Sequence, residues 1–310
     1  MNVPVTNALK PAAPVQLENK RSSLRYRAGR IYKSLRRSPA GLTGFIIVLL
    51  VTLLAVLGPV VSPHNPEEAN LRARFMEPGF TNDSGTYLMG TDQLGRDIFS
   101  RIIAGSSVSV LIGVISSIIA GTVGVLYGLI AGFVGGWLDS LLMRLVDALL
   151  GIPFIILVVS ISGIVGAGLT TVILILGLTG WVTYARVIRG EVLKTRGLDY
   201  VTAAYALGQR PYMIMFRHIL PNVISTAIVL AATQVGVTIL AESSLSFLGL
   251  GVKPPTITWG VMLADGRQYI TSAWWMTTWP GIATTITVLG AVFLGDWLRD
   301  VLDPKTRGRD

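Results

Sequence analysis

Residues 41–61 carry no charged side chain, and uncharged runs at least as long recur down the chain, the longest being the 38 residues between Asp147 and Arg186. About 20 such residues in a helix cross a hydrocarbon core of ~30 Å. The chain is therefore expected to be an all-α integral membrane protein with about six transmembrane helices. Only 14% of residues are charged and the mean hydropathy is +0.62, whereas a soluble chain of this length would need more charge on its surface. There is no cysteine, which excludes disulfides and Cys-based metal or redox sites. With His64 and His218 the only histidines, no metal site is expected.

The first span is read as Gly41–Val61, stopped by Ser62-Pro63-His64-Asn65-Pro66. Residues 62–104 form a polar loop, and a core of five further spans occupies 105–300. The second span lies within Gly105–Val134. The long uncharged stretch holds two spans, Asp139–Ile164 and Leu169–Ile188, parted at the glycine-rich Ser162–Gly168. A polar segment, 189–221, precedes a fifth span at Asn222–Leu245, and a sixth runs from Gly281 to Leu298. Residues 1–40 read as a basic tail ending in an interfacial helix near Leu24–Leu35, and 301–310 as a second tail.

Positive charge orients these spans. Nine Lys/Arg fall in the first 40 residues, six in Arg186–Pro221 and four after Asp296. The 62–104 loop has four arginines against six acids, and Gly249–Pro280 has two basic residues. Loops rich in Lys/Arg stay in the cytoplasm, and six spans put both termini and segment 189–221 on that side together. Trp274, Trp275 and Trp279 are expected to form an aromatic belt at the opposite interface.

Segment 198–221 reads as helix, turn, helix. Asp199 is expected to cap the first helix, Gly208 to close it in the left-handed region, Pro211 to open the second helix, and Pro221 to end it. Ala203 and Ala204 offer a small surface that another protein can approach. In this register the segment resembles the EAA loop of bacterial ABC importer permeases: Ala203, Ala204, Gly208, Leu220 and Pro221 match, while Thr202 stands where that family has Glu and His218 where it has Ile. The resemblance implies a coupling helix docking on a separate ATPase through Asp199, Thr202, Ala203, Ala204, Leu207, Gly208, Pro211, Leu220 and Pro221. Three further stretches, Leu88–Arg101, Ala241–Gly251 with Pro254-Pro255 and Trp259-Gly260, and Gly295–Pro304, resemble C-type subunits of dipeptide, oligopeptide and nickel permeases. This implies a type I ABC importer permease architecture in a bacterial or archaeal cytoplasmic membrane. The implied partners are a homologous B-type permease, two ATP-binding subunits that hold the ATP and Mg, and an extracytoplasmic solute-binding protein.

Several residues invite physical roles. Asp92, Arg96, Asp97 and Arg101 have i,i+4 spacing for pairing; a solvated charged face is the alternative. Gly124, Gly128, Gly132 and Gly136 recur every fourth residue, a ridge that packs either within this subunit or against a partner permease. Glu242 is the one acid deep in an apolar stretch, expected either to line a pore or to serve an interfacial or inter-helix hydrogen bond. Arg144 and Asp147 are expected to pair locally.

No Gly-x-x-x-x-Gly-Lys-[Ser/Thr] occurs, and no nucleophile and base stand at motif spacing. The chain is expected to be no enzyme, to carry no cofactor and to contact lipid rather than nucleic acid. A secondary transporter would need buried ionisable groups or an inverted repeat, neither of which is evident, and a membrane anchor or receptor would need a larger extramembrane domain. The resemblance favours small peptides as cargo, with nickel chelates, glutathione or oligosaccharides as alternatives.

Overall fold

The structure, a computed structural model, describes residues 33–302 apart from residue 84. The basic tail, most of the expected interfacial helix and residues 303–310 lie outside the described residues; 33–37 are helical.

Helix α1 (Pro39–Val61) starts where the Ser38 hydroxyl accepts the Gly41 N–H with Pro39 at the first helical position, and it ends at Ser62. The polar loop that follows contains a small hairpin, β1 (Phe80–Asn82) pairing antiparallel with β2 (Gly85–Tyr87), which the all-α reading did not anticipate. Helix α2 (Ile98–Val134) has 37 residues and begins seven positions before the expected second span. At ~55 Å it exceeds a bilayer core. It stops at Gly135 and Gly136, both with positive φ (70° and 62°).

The expected third span, Asp139–Ile164, is not one helix. It is broken into α3 (Gly136–Leu150) and α4 (Phe154–Val165), bent by 85°. Pro153 has no N–H to donate, and with Gly151 just before it the helix cannot continue. The second break, at Gly166 to Gly168, falls where the glycine-rich stretch predicted it. Helix α5 (Leu169–Arg196) follows, then α6 (Asp199–Ala206) and α7 (Pro211–Ile214).

Pro221 does not end a helix, contrary to expectation. A π-turn at Met215–Ile219 carries α7 into α8 (Leu220–Phe247), with the Leu220 N–H bonding the Met215 carbonyl five residues back. The widened turn lies over the position where the Pro221 ring would meet the carbonyl four residues earlier, so the helix passes through. After a loop come α9 (Trp259–Gly266) and α10 (Trp275–Leu302), which runs past Pro280. Among the described residues, five helical segments are long and apolar enough to cross a membrane: α1, α2, α5, α7 continued through α8, and α10. The bent pair α3–α4 supplies a sixth if counted as one broken span.

The centre of the bundle is the pairing of α2 with α5. A Cβ at Gly124 would lie 2.4 Å from the Trp181 carbonyl oxygen and from Tyr184 Cβ, one at Gly128 2.5 Å from the Ala185 carbonyl oxygen, and one at Gly132 2.9 Å from Val192. These three glycines let α5 approach inside the same chain. Gly136 is not in the ridge; it meets nothing within 4 Å and serves the left-handed turn. Helix α1 lies at the periphery against α10, where Gly41 meets Trp297 and Gly290 meets Ile47.

The tryptophan belt is also revised. Trp274 is half exposed, but Trp275 is buried and donates its ring N–H to the Thr91 carbonyl at 3.0 Å. The 62–97 loop folds over it and supplies the acceptor that headgroups or water would otherwise provide. Trp279 packs partly buried on the same core.

Gly128→Val should cost about 1–3 kcal/mol of packing, because the added atoms meet backbone that cannot move aside; thermal unfolding of the solubilised protein would show it. Gly163→Ala, where a Cβ meets nothing within 4 Å, should leave the transition in place.

Candidate functional site

Segment 197–219 forms a compact hairpin at the end of the bundle where α2 and α5 finish. Leu198, in an extended conformation, is the N-cap of α6, so Asp199 occupies the first helical position and makes no capping bond. Its charge there still suits the helix dipole. The C-terminus closes as a Schellman motif: Gly208, at φ +75°, donates to the Tyr205 carbonyl and Gln209 N–H to the Ala204 carbonyl. Arg210 then leads into Pro211 at the start of α7.

The hairpin has two faces. Val201, Ala204, Ile214 and Ile219 are buried with Leu129 of α2, Ile188 and Val192 of α5, and Val223 of α8. The opposite face exposes Thr202, Ala203, Tyr205, Ala206 and Leu207, the last 87% exposed. The two adjacent alanines therefore do not form one approachable surface: Ala203 faces out, and Ala204 is 7% exposed and packs inward. Positions 201 and 204 share a helix face at i,i+3, and that face is committed to the core. Leu220 and Pro221 lie in the first turn of α8, where Leu220 packs against the same apolar cluster.

Polar bonds fix this hairpin to the spans. Asn222 Nδ2 donates to Tyr200 Oη at 2.8 Å and to the His218 carbonyl at 2.7 Å, while His218 Nε2 lies 2.8 Å from Gln209 Oε1. The Thr202 hydroxyl donates to the Asp199 carbonyl at 2.9 Å. Arg196 Nη1 donates to the carbonyls of Gly132 and Phe133 at 3.1 and 2.9 Å, closing the end of α2. Arg189 makes a two-pronged bond to Asp139 of α3, both contacts 2.6 Å. Asp147 pairs with Arg186 of α5 and not with Arg144 as expected, because the neighbouring helix brings a guanidinium nearer than the same helix does.

At the other end of the bundle, Asp92 and Arg96 pair as expected (Nε to Oδ2, 2.7 Å), in a turn rather than a helix. Asp92 Oδ1 also accepts the Leu94 and Arg96 N–H groups. Asp97 does not pair with Arg101. It is the N-cap of α2, accepting the Ser100 N–H at 2.9 Å and hydroxyl at 2.6 Å, with His64 Nδ1 3.4 Å away. Arg101 turns inward, 3.7 Å from Asp92 and 3.5 Å from Asp265 of α9. The group is largely buried, Arg101 being 3% exposed, so a solvated face does not describe it. Burial pushes the Asp265 carboxyl above its ordinary value, opposed by the Arg101 and Arg96 guanidiniums. Asp265 was absent from the sequence reading: 164 residues separate it from Arg101, and no local signal links them.

Glu242 is fully buried. Its Oε1 accepts from the hydroxyls of Ser246 at 2.7 Å and Thr258 at 2.9 Å. The Thr258 hydroxyl in turn accepts the Val261 N–H and so caps α9, the Ser246 hydroxyl accepts the Val252 N–H, and Trp259 N–H donates to Ser109 Oγ of α2. Glu242 thus ties the 248–258 loop and α9 to α8, which matches the inter-helix alternative and not the pore-lining one.

With this geometry in view, residues 124–308 match the family of binding-protein-dependent transport system inner membrane components. The chain belongs to that family. Residues 28–78 match the N-terminal transmembrane domain of oligopeptide transport permease C. The dipeptide transport system permease protein DppC of Bacillus subtilis is 38% identical over 289 residues, covering 93% of this chain and 88% of its own. The probable D,D-dipeptide transport system permease protein DdpC of Escherichia coli is 35% identical over 285 residues (92% and 94%), and the oligopeptide transport system permease protein OppC of B. subtilis 35% over 272 residues (88% and 88%). Nearly the whole length of this binding-protein-dependent permease is therefore shared with C-type permeases.

Two departures from the EAA pattern acquire a local account in this permease. Thr202 satisfies its hydroxyl inside its own turn, leaving no charge on the outer face at that position. His218 bonds Gln209 across the hairpin, a tie that an isoleucine could not make.

Glu242→Gln keeps the acceptor oxygen and should unfold close to the unsubstituted protein. Glu242→Leu leaves the Thr258 hydroxyl without its acceptor and should cost about 1–3 kcal/mol. Thermal unfolding of the two variants side by side checks the difference.

Proposed function

We propose that the chain is one of two permease subunits of an ATP-driven importer of small peptides, and that the 197–219 hairpin is its coupling element. The observation that carries this reading is the two-sided hairpin. Its inner face is fused to the ends of α2, α5 and α8 through a buried apolar cluster, while its outer face presents Ala203, Tyr205 and Leu207 uncovered by any described residue. A load applied to the outer face therefore reaches the spans as rigid-body motion. The names of the C-type relatives support the peptide cargo.

In this reading the partners are a homologous B-type permease, two ATP-binding subunits and an extracytoplasmic solute-binding protein. ATP and Mg are bound by the ATP-binding subunits. The hairpin and both termini face the cytoplasm, following the distribution of Lys and Arg. Closure of the ATPases shifts the hairpin between two positions and so exchanges inward- and outward-open arrangements, each favoured by the contacts made in it.

Reconstitution of the complex with its binding protein tests this. Peptide should stimulate ATP hydrolysis, and Leu207→Asp should reduce that stimulation about tenfold by placing a charge in an apolar contact. Ala204→Trp, which disrupts the inner face, should instead lower the yield of folded subunit. Stimulation by a nickel chelate, glutathione or an oligosaccharide in place of peptide would change the cargo and keep the machine. ATP-independent uptake would replace the reading with a secondary transporter.

A further inference from the structure

Two carboxamides lie in the spanning helices. Asn222 sits at the hairpin end and is bonded to Tyr200 and the His218 carbonyl. Gln234 lies midway along α8, partly exposed, and makes no hydrogen bond to any described residue. It faces α5: a Cβ built on Gly180 would stand 3.5 Å from Gln234 Nε2. One helical turn beyond Gly180 on that face is Thr183, exposed, with its hydroxyl likewise unbonded among the described residues. Thr179 on the same helix and Thr287 on α10 instead return their hydroxyls to their own helix. Two polar side chains thus lie at mid-span on adjacent helices without a hydrogen-bond partner among the described residues.

An amide facing hydrocarbon without a partner is disfavoured, so a group outside this chain must meet it. Polar side chains in spans face cavities or pathways, and α5 and α8 are the two spans directly joined to the hairpin. We propose that Gln234 and Thr183 line the translocation pathway and hydrogen-bond the peptide groups of the cargo; this rests on the peptide-importer reading. A carboxamide offers one acceptor and two donors, the complement of a peptide C=O and N–H. The hydroxyl adds both functions, and neither residue is charged. The pair therefore recognises the backbone that small peptides share and is indifferent to their side chains.

The absence of cysteine in the chain makes a direct test available. In the assembled complex with cysteine-free partners, Gln234→Cys and Thr183→Cys should react with a small charged thiol reagent about tenfold faster than Leu50→Cys on the exposed flank of α1. Saturating dipeptide with binding protein should slow that reaction. Gln234→Leu should lower the maximal rate of dipeptide uptake about tenfold, the loss of one hydrogen bond to cargo. A complex that takes up dipeptide while both cysteines stay as unreactive as Leu50→Cys, or react without protection, overturns this inference alone. So does a Gln234→Leu subunit that no longer co-purifies with its partner permease, since the amide would then be satisfied by a partner helix. A complex that takes up no peptide overturns the importer reading and this inference with it.

Discussion

The close approach of α2 to α5 is the contact on which the rest of the bundle depends. In hydrocarbon, apolar side chains gain little by leaving lipid for protein, so helix association rests on packing and on polar bonds between helices. Gly124, Gly128 and Gly132 supply the packing by bringing backbone against backbone. The bonds cluster around the same seam. Ser117 Oγ lies 3.0 Å from Tyr184 Oη, Ser116 Oγ donates to the Ile173 carbonyl at 3.1 Å, and Arg196 closes the end of α2. Once these two helices are joined, the hairpin that follows α5 inherits a fixed root, and Val201 and Ile214 can bury against it.

The ion pairs are concentrated at the two ends of the bundle. At one end, Asp92, Arg96, Arg101 and Asp265 join a loop, the head of α2 and α9. At the other, Asp139 with Arg189 and Asp147 with Arg186 join α3 to α5. Breaking a buried pair of the first kind leaves an uncompensated charge and is costly, whereas the exposed Arg186–Asp147 contact contributes little. Glu242 belongs with the first group in function: its carboxyl oxygen gathers donors from Ser246 and Thr258 and so holds a loop that has no regular structure of its own.

What was legible in the sequence is what is local. Uncharged runs locate five spans with ends up to eight residues off, and Gly208 with Pro211 marks the turn of the hairpin, because both signals act through neighbouring backbone. The break at Gly151-Ile152-Pro153 was equally visible as a proline signal, but the reading let the length of a full span outweigh it. Trp275 was misjudged because its acceptor, the Thr91 carbonyl, is 184 residues away. Asp147 and Arg101 were misjudged for the same reason: spacing along one helix predicts a partner, and a nearer one arrived from another element. Asp265, Arg189 and Arg196 carried no signal beyond being charged residues near span ends.

The bent pair α3–α4 shows how these contacts divide the chain mechanically. Helix α3 lies between two stretches that break the helix, Gly135-Gly136 and Gly151-Ile152-Pro153, and would swing freely if nothing held it. The two-pronged Arg189–Asp139 pair binds it to α5, to which the exposed Arg186–Asp147 contact adds little, and Arg196 ties the end of α2 to the same helix. Helices α2, α3 and α5 are therefore tied to one another and, through the buried apolar cluster, to the hairpin. Helix α4 lies between this break and Gly166 to Gly168, and its one buried residue, Val158, packs with Val172 and Ile175 of α5, with Ile161 against the same cluster. The hairpin is thus linked through α5 to α3 as far as Leu150, and the chain turns by 85° where Gly151 to Pro153 joins α3 to α4.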